Sequence, residues 1–247
     1  MSQVQAKQSK AVAPKPKTAL PVAANLLEEM GGAGLENITA ENMAMPFIKL
    51  ISDASPERKK THEKFVEGAD TGMIINTVTK KLYDGAKGVS VIPCHYKLEY
   101  QEWADFGTGS GRPENIFPDG SDILSSTTTD GGGKDRLQNG NFILTVGQHY
   151  VLVIGDDGGA EQALISMSSS QGKISRKWNS MMMSISLDGK NGPYTPPSFS
   201  HSYKLTTVLN SGKGNQWYGY NVVKEGPVKD AALYERAKKF YTSLAGK

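Results

Sequence analysis

The sequence predicts a mainly β protein with two helices. Five segments have the composition and bounding turns of strands, at about 73–83, 89–103, 149–154, 202–209 and 216–223. A capped amphipathic helix at 168–187 separates the third strand from the fourth. Three strands, one helix and two strands is the order of a five-stranded OB barrel, whose open face often binds single-stranded nucleic acid. We therefore expect an OB-like Greek-key barrel with long loop insertions.

Composition excludes several classes of protein. The 247 residues include 27 glycines and 12 prolines, as in a turn-rich β protein that forms one domain with tails and insertions. The net charge of +3 is mildly basic, so affinity for nucleic acid has to come from local clusters of cations. The single cysteine, Cys94, excludes an internal disulfide framework. The sequence has no apolar run of roughly 18 residues and no signal-peptide core, which predicts a soluble intracellular protein.

Three regions are predicted along the chain. Residues 1–45 form a disordered basic arm with a short helix at 25–30, because the first 24 residues carry four lysines and no acid and bury little apolar surface. This arm is either a solvated tail or a weak attractor of phosphates. Residues 46–223 form the OB-like domain. Residues 224–247 form a C-terminal helix that Asp230 caps.

The strand at 89–103 has the clearest alternation in the sequence. It places on one face Ile92, Cys94, Tyr96, Leu98 and Tyr100, and on the other His95, Lys97, Glu99 and Gln101. We assign Cys94 to the core, where a free cysteine behaves as a small hydrophobe and not as a nucleophile. A short apolar run at 46–51 is also assigned as a strand.

Two segments that connect the predicted elements show no clear hydrophobic periodicity. Residues 105–141 hold eight glycines, and a loop of this length is usually functional or disordered. Its GGGKD tract lacks the strand and helix of a phosphate-binding loop, so we assign the tract to a flexible loop. After the strand at 149–154, a DDGG turn and the string ALISM lead into the helix.

The helix at 168–187 combines an apolar stripe with basic residues. Serines at its start are expected to cap it, and the stripe contains Ile174, Trp178 and Ile185. Trp178 is therefore assigned to the core. The cations outside the stripe are Lys173, Arg176 and Lys177.

No known catalytic constellation is present in the sequence. It contains no GxxxxGK[ST] loop, no GxGxxG after a strand, no HExxH, no paired CxxC and no GxSxG. The four histidines lie on separate elements without ligand spacing, and the pair Asp156 and Asp157 belongs to a turn. We therefore predict no enzyme activity, no cofactor and no metal site.

Aromatic and basic residues are interleaved on the predicted strands and beside the helix. Exposed rings stack on bases without sequence preference, while Lys and Arg neutralise phosphates. The predicted DNA-binding residues are Trp217, Tyr218, Tyr220, Tyr203, Lys204, Lys213, Arg176, Lys177, Lys97 and Trp103. Tyr96 and Tyr100 are further aromatic candidates. About half of the aromatic residues are expected in the core, and adjacent Trp217 and Tyr218 point to opposite faces of their strand.

Four strings, PFIKLI, EGADTGMIINTVTKKLYDG, SRKWNSMM and SFSHSYKLTTV followed by WYGYNV, resemble a family of bacteriophage replication-region proteins thought to bind single-stranded DNA. The likeness covers roughly residues 46–223. It implies an OB-type barrel that coats unwound DNA in the host cytoplasm, with phage replication or recombination proteins as partners. Many single-strand binders end in an acidic tail that recruits partners, whereas this chain ends in the basic AKKFYTSLAGK.

Two functions compete at this level. The first is nonspecific single-stranded DNA binding during phage replication or recombination. The alternative is a phage structural or assembly protein that uses the β-rich domain for protein contacts. Exposure of Trp217, Tyr218 and Lys204 in one groove would favour the first. An enzyme would need the separate histidines to converge on Cys94 or a metal.

Overall fold

The structure, a computed structural model, describes residues 29, 33–34, 44–156, 158–212 and 214–245. The chain divides into two compact units, Met1–Met43 and Ala44–Lys247, and all elements below belong to the second. The predicted arm at 1–45, with its helix at 25–30, lies almost entirely outside the described residues.

The second unit is mainly β with two helices, as predicted. Its described strands are β1 (Ile48–Leu50), β2 (Ile74–Asn76), β3 (Leu82–Tyr83), β4 (Val89–Trp103), β5 (Asn115–Pro118), β6 (Thr128–Thr129), β7 (Asp135–Arg136), β8 (Phe142–Ile154), β9 (Ala160–Ser168), β10 (Leu187–Gly189), β11 (Gly192–Tyr194), β12 (His201–Gly212) and β13 (Asn215–Pro227). The helices are α1 (Gly172–Met183) and α2 (Ala231–Ala245). Short 3-10 turns occupy Pro56–Arg58, Ile123–Ser126, Ser169–Gln171 and Ser198–Ser200. No helix in the described ranges is long and apolar enough to cross a membrane.

Eight strands form one antiparallel sheet that curls into a half-barrel. Its order is β13-β12-β4-β8-β7-β6, with β9 also paired to β8 and β5 also paired to β4. Strands β1, β2 and β3 form a separate small sheet, and β10 pairs with β11. The two long hairpins, β8–β9 and β12–β13, are therefore joined through β4.

Each face of the large sheet has its own core. On one face, Val91 of β4 packs in a cluster with Trp178 of α1. On the other, Ile92 packs in a cluster with Phe240 of α2. Successive residues of a strand point to opposite faces, so the two helices cover opposite sides of the sheet. Trp178 is fully buried, which confirms its assignment to the core.

A β-bulge in β4 changes the faces that its side chains occupy. The pairing of β4 with β8 shifts between Pro93 and His95, which inserts one residue into β4. Ile92 and Cys94 therefore pack toward α2, whereas Tyr96 contacts a histidine of β8 on the α1 side. The predicted common face for these three residues is wrong, because a bulge shifts the alternation by one position. The burial of Cys94 is confirmed.

Two segments of the predicted five-strand order have other roles. The segment 73–83 contributes β2 and β3 to the small sheet and not to the large one. The string ALISM belongs to β9, a full strand in which Ala163, Ile165 and Met167 are buried on the α1 side. Strands β8 and β9 thus form a hairpin, and β9 leads into the helix.

The glycine-rich segment 105–141 is structured. A carboxylate in β4, Glu102, accepts hydrogen bonds from the side-chain amides of Asn115, Asn139 and Asn141, at 2.7, 2.9 and 2.6 Å. These bonds hold the pKa of Glu102 below its usual value, because they stabilise the ionised form. One residue of β4 therefore fixes both ends of the segment.

Candidate nucleic-acid interface

Helix α1 is anchored to the sheet by a buried polar contact. His149 of β8 and Ser175 of α1 are hydrogen-bonded, with 2.8 Å between Nε2 and Oγ. The ring of His149 also stacks on Trp178, with 4.5 Å between the centroids. Burial lowers the pKa of His149 to about 3, so its imidazole is neutral near pH 7. The pair therefore positions α1 without placing a charge in the core.

The start of α1 differs from the prediction. The helix begins at Gly172, after a 3-10 turn, and no side chain caps it. The residue at the cap position, Gln171, instead accepts a hydrogen bond from the backbone N–H of Tyr220, at 2.8 Å. The predicted serine cap is therefore wrong. The contact that replaces it ties the start of α1 to the edge strand β13.

The outer side of α1 is basic. Lys173, Arg176 and Lys177 are exposed, and residues 168–187 contain no acid. In contrast, some cations of the sheet are paired with carboxylates, as Lys204 is with Glu225. The helix therefore presents three positive charges that no residue of its own segment neutralises.

A groove of about 610 Å³ lies between α1, β4 and β8. It contains Tyr96 of β4, Phe142 and Gly147 of β8, and Arg176 of α1. A Cβ added to Gly147 would lie 2.5 Å from Ser175 Oγ and 3.2 Å from the ring of Tyr96. Glycine at this position therefore allows the helix to approach the sheet beside the two aromatic rings.

The wall of the groove opposite α1 carries a second cation. The ammonium group of Lys134 lies 4.3 Å from the ring centroid of Phe142 and 3.0 Å from a carboxylate oxygen of Asp105. The ion pair is half exposed, so it contributes little stability and can exchange for another anion. Among the described lining residues, Asp135 is the one carboxylate. The groove thus combines aromatic rings with a cation on each wall.

A second cavity, of about 290 Å³, lies on the other side of the first turns of α1. Lys173 lines it from the helix, and Trp217 and Asn221 line it from β13. The side chain of Trp217 is 40% exposed. An outward-facing indole and a lysine therefore share this cavity.

The predicted aromatic residues of the β12–β13 hairpin separate into buried and exposed groups. Tyr203 is 0% exposed and Tyr220 is 4% exposed, so both are wrong as base-stacking residues. Tyr203 packs on Trp178, and Tyr220 donates a hydrogen bond to the carbonyl of Ile48 at 3.0 Å. Both tyrosines lie on the core face of the hairpin, whereas Trp217 lies on its outer face.

Tyr218 is half buried on the core side of the hairpin. Its ring covers Gly72, where an added Cβ would lie 2.7 Å from the nearest ring carbon. This contact holds the 68–73 turn against β13. The ring therefore has a structural contact on one face, unlike its neighbour Trp217.

The predicted cations are not all brought together. Lys204 donates a hydrogen bond to Ser90 Oγ at 3.2 Å. It lies six residues before Asn210, which is the residue of β12 that pairs with Trp217. Six residues of strand span roughly 20 Å, so Lys204 and Trp217 do not form one site. Arg176 lines the groove, whereas Lys177 lines neither cavity. Lys213 lies outside the described residues.

The two remaining predicted residues lie away from the groove. Lys97 lines a neighbouring open cavity of about 500 Å³ with Glu99 and Asp119, whose carboxylates compete with phosphate for its charge. Trp103 ends β4, where its indole N–H donates to Gln101 Oε1 at 3.2 Å. Neither residue lines the groove or the second cavity.

Phe142 and Lys134 were not among the predicted site residues. The available signal was the GGGKD tract, in which glycines precede a lysine. That tract folds over the groove because β6 and β7 pair across it and β7 pairs with β8. No group of three or more His, Cys, Asp or Glu side chains in the described ranges is placed to hold a metal ion.

Comparison with known proteins gives one family. No curated protein and no solved structure matches the chain. A family model described as Pam3 phage gp34-like protein matches residues 15–247. The match includes α1 and both cavities, and it agrees with the phage origin that the sequence predicts. The chain belongs to the Pam3 phage gp34-like protein family.

Proposed function

We propose that the protein binds single-stranded DNA without sequence preference during phage replication or recombination. The observation that carries this proposal is that α1, with three cations and no acid, forms one wall of a groove lined by Tyr96 and Phe142. Aromatic rings stack on any base, and cations follow the phosphates of the backbone. The groove supplies both kinds of contact within one concave surface.

We further propose that five strands form an OB-like Greek-key core. Strands β4, β8 and β9, helix α1, and strands β12 and β13 follow one another along the chain in the OB order. They lie side by side as β9-β8-β4-β12-β13. Within the described ranges β9 and β13 do not pair, because residues before β2 lie between them. Phe47 forms a β-bridge with Leu164 of β9, and the carbonyl of Ile48 accepts a hydrogen bond from the hydroxyl of Tyr220 in β13. The core is therefore an open barrel, and the other strands are insertions.

The position of the groove supports the same proposal. OB domains bind oligonucleotides on their second and third strands and with the loop between the first two. In this protein the corresponding elements are β8, β9 and the segment between β4 and β8. Phe142, Met167 and Lys134 bring each of them to the groove.

The proposal is tested by titrating oligo-dT at several salt concentrations. Tyr96→Ala should lose about 1–3 kcal/mol of binding free energy, because one stacking ring is removed. Tyr241→Ala is the matched control, since that ring is 40% exposed on α2 and lies outside the groove. Unchanged affinity in folded Tyr96→Ala would place the DNA elsewhere.

A pair of charge variants on α1 makes the test sharper. Arg176→Gln should reduce the slope of log K against log salt by about 0.7, the value for one phosphate contact on a single strand. Lys177→Gln removes the same charge from the next residue, which lines neither cavity, and should change the slope less. Equal effects of the two variants would show that only the net charge matters.

The second candidate function is a phage structural or assembly role. Its support is a set of exposed apolar side chains at the end of α1 and in the hairpin that follows it. Met183, Leu187 and Tyr194 are 70%, 40% and 50% exposed, and the last two are cross-strand partners. If this surface mediates assembly, Leu187→Asp should abolish a protein contact and leave oligo-dT binding unchanged.

A further inference from the structure

We infer that one DNA strand occupies the groove and the second cavity together, crossing the first turns of α1 between them. This inference rests on the proposed single-stranded DNA binding and adds the path of the strand. The phosphates over the helix contact Lys173 and Arg176. Bases on the two sides of the crossing stack on Tyr96 and Trp217.

The start of α1 lines both cavities. Gly172 and Arg176 line the groove, whereas Gln171 and Lys173 line the second cavity. Two sides of one short segment therefore face the two sites. A strand that leaves the groove beside Arg176 meets Lys173 within one helical turn.

The second cavity has the chemistry of a base-binding site. Trp217 supplies an exposed indole, and the amides of Asn210 and Asn221 can donate to and accept from base edges. Among the described residues that line it, no carboxylate is present to repel phosphate. Its composition therefore parallels that of the groove.

The walls of the crossing are fixed to each other. The backbone N–H of Tyr220 donates to Gln171 Oε1, which attaches β13 to the start of α1. A Cβ added to Gly219 would lie 2.6 Å from Gln171 Nε2 and 2.7 Å from Asn210 Nδ2. Glycine at this position therefore lets the helix and the hairpin meet closely, so the second cavity has a defined shape before DNA binds.

This path requires unpaired bases and sets a short site. A helix with its side chains is about 10 Å wide, so a crossing strand places roughly two or three nucleotides over it. With one base on each side, the minimum site is about five nucleotides, near the short end of the range of roughly 4–16 for such domains. A duplex cannot place its bases on both sides of the helix while they remain paired.

A length series of dT oligomers, from about 2 to about 12 nucleotides, tests the crossing. Wild-type affinity should rise sharply at about five nucleotides, when both cavities are filled. Trp217→Ala should weaken binding of oligomers longer than this by roughly 5- to 150-fold and leave the shortest ones unaffected. Tyr96→Ala should weaken binding at every length. A dA·dT duplex of the same length should bind more weakly than the single strand.

The control is Leu209→Ala on the same hairpin. Leu209 is 54% exposed, faces away from Trp217 and lines neither cavity, so its variant should bind as the wild type. If Trp217→Ala binds normally at every length while Tyr96→Ala is weakened, the crossing is wrong and the proposed function stands. The crossing is also wrong if Trp217→Ala weakens all lengths equally, or if duplex and single strand bind alike. Absence of binding by the wild type overturns both proposals.

Discussion

Helices α1 and α2 cover opposite faces of the same sheet in different ways. Helix α2 buries Ala237 and Phe240 in an apolar cluster, and Asp230 caps it by accepting from the N–H of Ala232 at 2.8 Å. Helix α1 has no side-chain cap and is held by Trp178 and by the bond between Ser175 and His149. Both faces are closed by apolar packing, with Ile174, Met181 and Met182 also packed on the cluster of the α1 face, but open cavities flank the start of α1.

The two helices also differ in the charges that they carry. Helix α2 carries both signs, including a Glu235–Lys238 pair at 3.9 Å. Helix α1 carries three cations and no acid, and open cavities flank it. The open cavities on both flanks of α1 leave space for a ligand. We therefore expect structural support from α2, and the ligand contact that we propose is on the α1 side.

The largest expected effect separates these two roles. Trp178→Ala and Phe240→Ala should each lower the free energy of unfolding by about 3–5 kcal/mol, because each leaves a large cavity in its core. Below both melting temperatures, Trp178→Ala should also weaken oligo-dT binding, since α1 loses its anchor. Phe240→Ala should bind as the wild type. Urea denaturation and oligo-dT titration of both variants provide the measurements. Equal binding by Trp178→Ala and Phe240→Ala would contradict the different roles of α1 and α2.

The sequence predicted the elements better than their arrangement. Trp178 was assigned to the core correctly, because helical spacing is a local property of the chain. The faces of Tyr203, Tyr220 and Trp217 were not predicted, because alternation defines two faces without showing which is inward. The bulge before His95 was also missed, since it depends on pairing with a strand about fifty residues away.

The candidate site depends even more on distant contacts. Glu102 binds amides 13, 37 and 39 residues away, and the GGGKD tract lies over the groove because β6, β7 and β8 pair with one another. No periodic pattern encodes such contacts, so Phe142 and Lys134 were not identified. Arg176 was identified, because a cation outside the apolar stripe of a helix is visible in the sequence. Of the predicted residues, Arg176 lines the groove and Trp217 lines the second cavity, whereas Lys204 lines neither.

The second prediction concerns the pH dependence of the α1 anchor. Burial lowers the pKa of His149 from 6.5 to about 3, so between these values the unfolded chain binds a proton that the native state does not. The unfolded state then holds more protons, and stability rises with pH. The stability that depends on neutral His149 is fully present above about pH 6.5 and falls as the pH decreases, by roughly 3 kcal/mol at pH 4.

His149→Phe isolates this contribution. The variant keeps an aromatic ring on Trp178 and loses the bond to Ser175, so it should be less stable at pH 7 and less dependent on pH. Urea denaturation at about pH 7, 5.5 and 4 compares how the free energy of unfolding changes with pH in the wild type and the variant. Parallel curves for wild type and variant would show that His149 does not carry the acid sensitivity of the α1 face.

The smallest expected effect tests the closed face at Cys94. This thiol is fully buried toward α2, and burial raises its pKa to about 12, so it remains protonated near neutral pH. Cys94→Ala should lower the free energy of unfolding by roughly 1–2 kcal/mol, because it removes one small buried group and its weak bond to the carbonyl of Ile92. Oligo-dT affinity should remain that of the wild type, since the residue lies on the face opposite the groove.

A thiol reagent should label the native protein slowly and the urea-unfolded protein quickly. Fast labelling of the native protein with loss of binding would mean that the α2 face opens and takes part in function, which would remove the distinction between the two faces.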